Sequence, residues 1–110
     1  MAAYPPEIDD VFRALADPGR RRLLDRLNAR GGQTLRELCS GMDMARQSVS
    51  KHLAVLEAAN LVSTVRRGRE KLHYLNPVPI RLIHDRWVSK YAEPLAATIS
   101  GIKRELEETT

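Results

Sequence analysis

The run Arg46-Gln47-Ser48-Val49-Ser50-Lys51-His52 offers Arg, Gln, Ser, Lys and His side chains and no carboxylate. Those side-chain types pair with base edges in the major groove of duplex DNA, where a carboxylate would meet phosphate repulsion. Farther along, Arg66, Arg67, Arg69 and Lys71 crowd around Gly68. A cluster of that kind neutralises phosphates, supplying affinity and register without reading sequence. Taken singly, each feature is unremarkable, since polar helix faces and basic turns are commonly just solvated. What they can do together depends on the elements that hold them.

The first element is an amphipathic helix from about Pro6 to Ala16, with Ile8, Val11, Phe12 and Leu15 at helical spacing. Asp17-Pro18 reads as an N-cap followed by proline at the first helical position. The second helix then presents Leu23, Leu24 and Leu27 and stops at Gly31-Gly32. Thr34-Leu35-Arg36-Glu37 is a capping box opening a third, short helix through about Ser40, broken at Gly41. A fourth helix from about Met44 to Ala59 turns Ala45, Val49, Leu53 and Leu56 inward and Gln47, Ser50 and Lys51 outward. Asp43 is placed to cap it, and Asn60 stands where a left-handed terminating residue is needed.

Two strand-like runs follow, 61–65 and 71–75, joined by the glycine-containing basic turn. His73 alternates with Leu72 and Tyr74 and is expected on the wing surface. Pro77 and Pro79 mark the exit, and a last helical region from Ile80 carries Ile83, Trp87, Tyr91, Leu95, Ile99, Ile102 and Leu106. Pro94 must kink or divide it, because it cannot donate to the carbonyl of Lys90. The fold class is therefore mainly α with a small β-hairpin, in the order α-α-α-α-ββ-α.

A short capped helix, a tight turn and a helix with a polar outer face form a helix-turn-helix. A basic hairpin directly after it makes a winged helix-turn-helix. One domain is expected over 1–110, with a DNA-binding core at 18–75, its wing at about 61–75, and dimerisation helices at 1–17 and 79–108.

Charge is distributed in keeping with this division. The formal net charge is +4, from 18 Lys+Arg against 14 Asp+Glu. Residues 1–17 are net negative, 18–30 and 61–75 net positive, and 31–60 and 76–110 balanced. At 43% hydrophobic and 29% charged the chain is globular, and its five aromatics (Tyr4, Phe12, Tyr74, Trp87, Tyr91) favour helices over a β-sandwich. Cys39 is the single cysteine, which excludes an internal disulfide framework and a multi-cysteine zinc site. Following Leu38 on a packing face, it reads as a buried small hydrophobe. No apolar run reaches membrane-span length, and Met1–Asp10 lacks a basic signal-peptide start. There is no nucleophile elbow, phosphate-cradling glycine loop or paired-carboxylate pocket, and the acids Asp9-Asp10 and Glu107-Glu108 are solvated helix ends. The sequence is read as non-enzymatic, without cofactor, membrane association or metal, and cytoplasmic.

The string Ala14-Leu15-Ala16-Asp17-Pro18-Gly19-Arg20-Arg21-Arg22-Leu23-Leu24 resembles the ArsR family of bacterial winged-helix repressors. So does Ser50-Lys51-His52-Leu53-Ala54-Val55-Leu56-Glu57-Ala58-Ala59-Asn60-Leu61-Val62, and the likeness spans about residues 8–92. The resemblance implies that the helix at about Ala45–Ala59 enters the major groove, that the hairpin is the wing, and that the first and last helices build a homodimer. It makes Arg46, Gln47, Ser48, Ser50, Lys51 and His52 the recognition-helix residues, with His52 nearer the packed face. It makes Arg66, Arg67, Arg69 and Lys71 the wing contacts to double-stranded DNA. Ile8, Phe12, Trp87, Tyr91, Leu95, Ile99, Ile102 and Leu106 become the dimer interface.

Three departures from the family pattern stand out. Asn60 replaces a usual Gly, and Ala45 a usual small hydroxyl cap. The metal-sensing signatures of the family are also incomplete. Its Cys-x-Cys pair is reduced to Cys39, and its Asp-x-His pair to Asp85-Arg86-Trp87, with no histidine after His84.

The function these readings imply is a homodimeric, sequence-specific transcriptional repressor that binds an inverted repeat in its own promoter region. The alternatives are a winged-helix protein-interaction module and a metal-responsive repressor with an intersubunit site. Trp87 and Tyr91 are alternatively the lining of a small-molecule effector pocket.

Overall fold

Asp17 lies in extended backbone and its Oδ2 accepts from the Arg20 N–H at 3.1 Å, so the chain turns into a helix at Pro18. In the computed structural model, residues 6–88, 90–91, 99, 101–104 and 106–107 are described. The helices α1 (Pro6–Leu15), α2 (Pro18–Ala29), α3 (Leu35–Cys39) and α4 (Arg46–Ala58) precede strands β1 (Val62–Arg67) and β2 (Glu70–Leu75). Helix α5 (Val78–Ile83) and a π-helical stretch, His84–Val88, come next. This is the mainly α order with one hairpin that the sequence implies. The chain divides into two compact units, Met1–Pro79 and Ile80–Thr110. Pro94 and Leu95 lie outside the described residues.

Local signals set most of the boundaries. The capping box is complete: the Glu37 N–H donates to Thr34 Oγ1 at 3.2 Å and the Thr34 N–H to Glu37 Oε1 at 3.1 Å. At the end of α4, Asn60 adopts φ +63°. Its N–H donates to the Glu57 carbonyl at 3.0 Å, and the Leu61 N–H reaches the Leu56 carbonyl at 2.9 Å. That pair of bonds is a Schellman motif, closed by an asparagine. The start of α4 differs from expectation. Ala45, exposed rather than inward, is its N-cap and makes no side-chain cap bond. Asp43 stands two residues upstream, outside the reach a cap side chain needs to the second or third helical N–H.

The Met1–Pro79 unit is built around Leu23, Leu24 and Leu27 of α2, Leu38 of α3, Val49, Leu53 and Leu56 of α4, and Leu61, Val62 and Leu72 of the hairpin, all buried. Removing one such side chain from water is worth about 2 kcal/mol. Helix α1 adds Ile8, Val11 and Ala14. Its buried stripe is thus rotated from the one anticipated: Phe12 is 43% exposed and Leu15 half-buried. The helical period runs through the small Ala14, fully buried on the side of α1 that meets α2 and α4.

The hairpin pairs Val62 with Leu75 through to Arg67 with Glu70, leaving a two-residue turn at Gly68-Arg69. Gly68 has φ +62° while Arg69 does not enter the positive region, the type II′ pattern that suits the twist of two paired strands. His73 corrects the sequence reading. It is 3% exposed, because the loop residue Gln33 bridges to β2 and covers it. Cys39 is a second correction: at the last position of the short α3 it is half-buried rather than buried.

Candidate nucleic-acid interface

Helix α4 separates its two faces sharply. Val49, Leu53 and Leu56 are buried, while Arg46, Gln47, Ser48, Ser50 and Lys51 are all exposed. Its first turn contains no acid. The side chains selected for base reading therefore share one free surface, with the exception of His52, which is half-buried.

His52 is held from two sides. Arg20 Nη1 lies 3.3 Å from its Nδ1, and Asp17 Oδ2 lies 3.7 Å from its Nε2. A guanidinium can only donate, so Nδ1 accepts and the ring proton of the neutral imidazole belongs on Nε2, toward the carboxylate. Arg20 also donates to the carbonyls of Ala14 at 2.7 Å and Arg13 at 2.9 Å, the exposed C-terminal end of α1. The Asp17 carboxyl is held below the usual carboxylate range, first by the Arg20 backbone N–H, with a smaller contribution from the Arg20 guanidinium, against some opposing desolvation.

The turn before α4 is fixed by Arg26 of α2. Its guanidinium donates to the carbonyls of Glu37 (3.0 Å), Leu38 (2.6 Å) and Ser40, gathering the unsatisfied oxygens at the end of α3. Arg30 pairs with Glu37 at 2.7 Å. That bond, with the Thr34 contacts, holds the Glu37 carboxyl low. Sequence reasoning missed Arg26. The available signal was a base one position before Leu27 on an otherwise buried stripe.

The wing is anchored through its second strand. The His73 ring Nδ1–H donates to the Gln33 carbonyl at 2.8 Å, and the backbone N–H of His73 reaches the same oxygen at 2.8 Å. Gln33 Nε2 donates in turn to the carbonyls of Arg26 and Arg30. Lys71 is paired with Glu57 of α4 at 3.0 Å. Arg66, Arg67 and Arg69 stand exposed at the tip.

The bases of the Met1–Pro79 unit thus fall into two groups. Arg13, Arg20, Arg21, Arg26, Arg30 and Lys71 are committed to carbonyls or carboxylates within the chain. Arg22, Arg36, Arg46, Lys51, Arg66, Arg67 and Arg69 have no such partner among the described residues. Most of the free group lies on α4 and the wing.

The interface residues foreseen for dimerisation are placed unevenly. Ile8 is buried within α1's own packing, and Trp87 is half-buried with the Arg86 guanidinium 5.6 Å from its ring centre. Tyr91, Ile99, Ile102 and Leu106 are each more than half exposed. Among the described residues, no group of three or more His, Cys, Asp or Glu side chains could hold a metal ion. No helix of the described residues is long and apolar enough to cross a membrane.

Comparison with known proteins agrees with this geometry. Residues 15–65 match the model of a helix-turn-helix domain family. The chain is 36% identical over 86 residues to the HTH-type transcriptional regulator YuzN of Bacillus subtilis (strain 168), covering 73% of this chain and 94% of that one. It is 33% identical over 69 residues to the transcriptional repressor SdpR of the same organism, covering 63% and 76%. The crystal structure of an ArsR family transcriptional regulator superposes with a TM-score of 0.72 at 33% identity, covering 87% of this chain and 97% of that one.

Proposed function

This chain belongs to the ArsR family of winged helix-turn-helix transcriptional regulators, DNA-binding proteins rather than enzymes, and from that premise we propose that it is a homodimeric repressor. The observation that carries the reading is the acid-free outer face of α4 ahead of Glu57, where Arg46, Gln47, Ser48, Ser50 and Lys51 are exposed together beside a wing with three uncommitted arginines. Helix α4 enters the major groove, and Arg46, Gln47, Ser50 and Lys51 read base edges. Ser48 flanks them. His52, held by Arg20 and Asp17, sets the pose of the helix rather than reading bases. Arg66, Arg67 and Arg69 take phosphates, and Lys71 contributes less because Glu57 already neutralises it.

Dimerisation uses Phe12 and the exposed apolar positions Tyr91, Ile99, Ile102 and Leu106, with Trp87 and Leu95 in the same series. Exposed apolar side chains recurring through one C-terminal segment are best satisfied by a second copy around a two-fold axis. The operator is then an inverted repeat with half-sites about 34–36 Å apart. The similarity to a named transcriptional repressor supports repression, and the proposed place of action is the chain's own promoter region, in the cytoplasm.

Titrating the protein with a duplex from that region, by fluorescence anisotropy, tests the assignment. Arg46→Ala or Lys51→Ala should lower the ratio of operator to mixed-sequence affinity, each by about 1–3 kcal/mol, whereas Arg67→Ala should weaken both duplexes alike. If no α4 substitution altered discrimination, the groove assignment would fail.

A further inference from the structure

Arg36 belongs to neither the recognition helix nor the wing, yet it lines the same cleft as Arg46 and Arg69. Three arginines, from α3, α4 and the hairpin turn, line one space of about 360 Å³. All three are exposed, and none has a hydrogen-bond or ion-pair partner among the described residues. Elsewhere in this unit, arginines near an available acceptor use it, as Arg20, Arg21, Arg26 and Arg30 do. The cleft holds two acids, but Glu57 is already paired with Lys71 at 3.0 Å, so an excess of positive charge remains. The Ser50 hydroxyl lies on the same wall, and Leu53 and His73 are buried there. Three arginines with an adjacent hydroxyl donor, opposed only by the Glu70 carboxylate once Glu57 is paired with Lys71, keep a positive excess and make a site for a phosphate group.

The cleft is walled by the α4 residues Arg46 and Ser50, and α4 is the helix assigned to the major groove. That groove is about 12 Å wide and bounded by phosphate rows. With α4 seated in it, one row passes over the side of α4 shared with α3 and the wing. We propose that this cleft seats a backbone phosphate of the bound duplex, and that Arg36 is an additional phosphate contact. The inference rests on the DNA-binding reading above and assigns to it a residue on a third element. A free phosphate-bearing ligand would satisfy the same chemistry, and the test separates the two sources.

The experiment uses the full chain and a mixed-sequence duplex, because a phosphate contact is independent of sequence. Affinity is measured by anisotropy over a series of salt concentrations. Losing one phosphate contact lowers the slope of log K against log salt by about 0.9. Arg36→Ala should show that drop, Arg36→Gln should match it, and Arg36→Lys should keep the parent slope. Because Arg36 and Arg69 act on one phosphate, the double variant Arg36→Ala/Arg69→Ala should lose less affinity than the two single losses combined.

An unchanged slope in Arg36→Ala and Arg36→Gln, with the parent still binding the duplex, overturns the cleft assignment and leaves the DNA-binding reading standing. Failure of the parent to bind any duplex overturns both. Inorganic phosphate is titrated separately, without DNA. If it binds saturably, and Arg36→Ala abolishes that binding while keeping the duplex slope, the cleft serves a free anion and the proposal is wrong.

Discussion

The Nη1 atom of Arg20 lies 3.3 Å from Nδ1 of His52, joining the first turn of α2 to the middle of α4. The same guanidinium takes the carbonyls of Arg13 and Ala14 at the end of α1. One side chain therefore ties together three helices, α1, α2 and α4. It uses a base that charge counting assigns to DNA affinity.

Arg20→Ala should accordingly act on stability and not on phosphate binding. It leaves two helix-end carbonyls and the His52 acceptor without their donor, at a cost of about 2 kcal/mol. Arg20→Lys should recover less than half, since an ammonium cannot repeat the fork. Urea unfolding followed by circular dichroism measures both. The salt slope of duplex binding should match the parent's, and a fall of a full phosphate contact would instead place Arg20 on the DNA.

Acid should unfold the protein partly through Asp17 and Glu37. Both carboxyls are held low in the folded state, Asp17 first by the Arg20 N–H and Glu37 first by the Arg30 guanidinium. A depressed carboxyl contributes stability that is complete above its ordinary pKa of about 4 and is lost as pH falls through the lower folded value. Asp17→Asn and Glu37→Gln keep the helix cap and the capping box but remove the titration. The double variant should therefore show a flatter fall in urea midpoint between about pH 5 and pH 2 than the parent. Curves of equal steepness would show that other groups govern acid unfolding.

The features that were readable from the sequence are those whose cause lies within a few residues. Asp17-Pro18, the Thr34/Glu37 box, Asn60 and the Gly68 turn each act on adjacent backbone, so residue type at a fixed offset suffices. His73 was misplaced because strand alternation gives two faces but does not say what covers each. Its cover, Gln33, comes from a loop 40 residues earlier. The roles of Arg26 and Arg20 were not legible for a similar reason: their acceptors are mainly carbonyls, which have no signature in a list of side chains. The outward face of α4 was recoverable because Val49, Leu53 and Leu56 alone define the helix orientation. Arg36 was passed over because its cleft exists only once α3, α4 and the wing are brought together.

Asn60→Gly should stabilise the fold. The residue sits at φ +63°, where any side chain with a Cβ is disfavoured and asparagine is tolerated better than most. The bonds that depend on this position are made by backbone atoms: the N–H to Glu57 and the carbonyl that accepts from Asn76 Nδ2 at 2.8 Å. Glycine keeps all of them. A gain of about 0.5 kcal/mol is expected in urea unfolding, with duplex affinity unchanged. A loss would mean that the asparagine side chain restrains the helix end in a way its contacts do not reveal.

Gly68→Ala asks whether the wing acts through its shape or only through its charge. Gly68 has φ +62°, and a Cβ built there meets nothing within 4 Å. The substitution therefore creates no clash and removes no charge; its whole effect comes from the backbone. Left-handed backbone costs an alanine roughly 1–2 kcal/mol, enough to shift the turn toward a form in which Gly68 is no longer left-handed. A type I or II turn splays the strands it joins, so Arg66, Arg67 and Arg69 would lose their common alignment. Because the turn is remote from Leu23 and Leu56 of the core, global unfolding should move less than amide exchange in β1 and β2. If the three arginines must be aligned along one phosphate row, Gly68→Ala should weaken binding to operator and mixed duplex equally. It should also lower the salt slope, as a charge deletion does. Retention of the parent slope alongside faster exchange in the hairpin would show that charge near the groove is sufficient and that the II′ geometry serves folding alone.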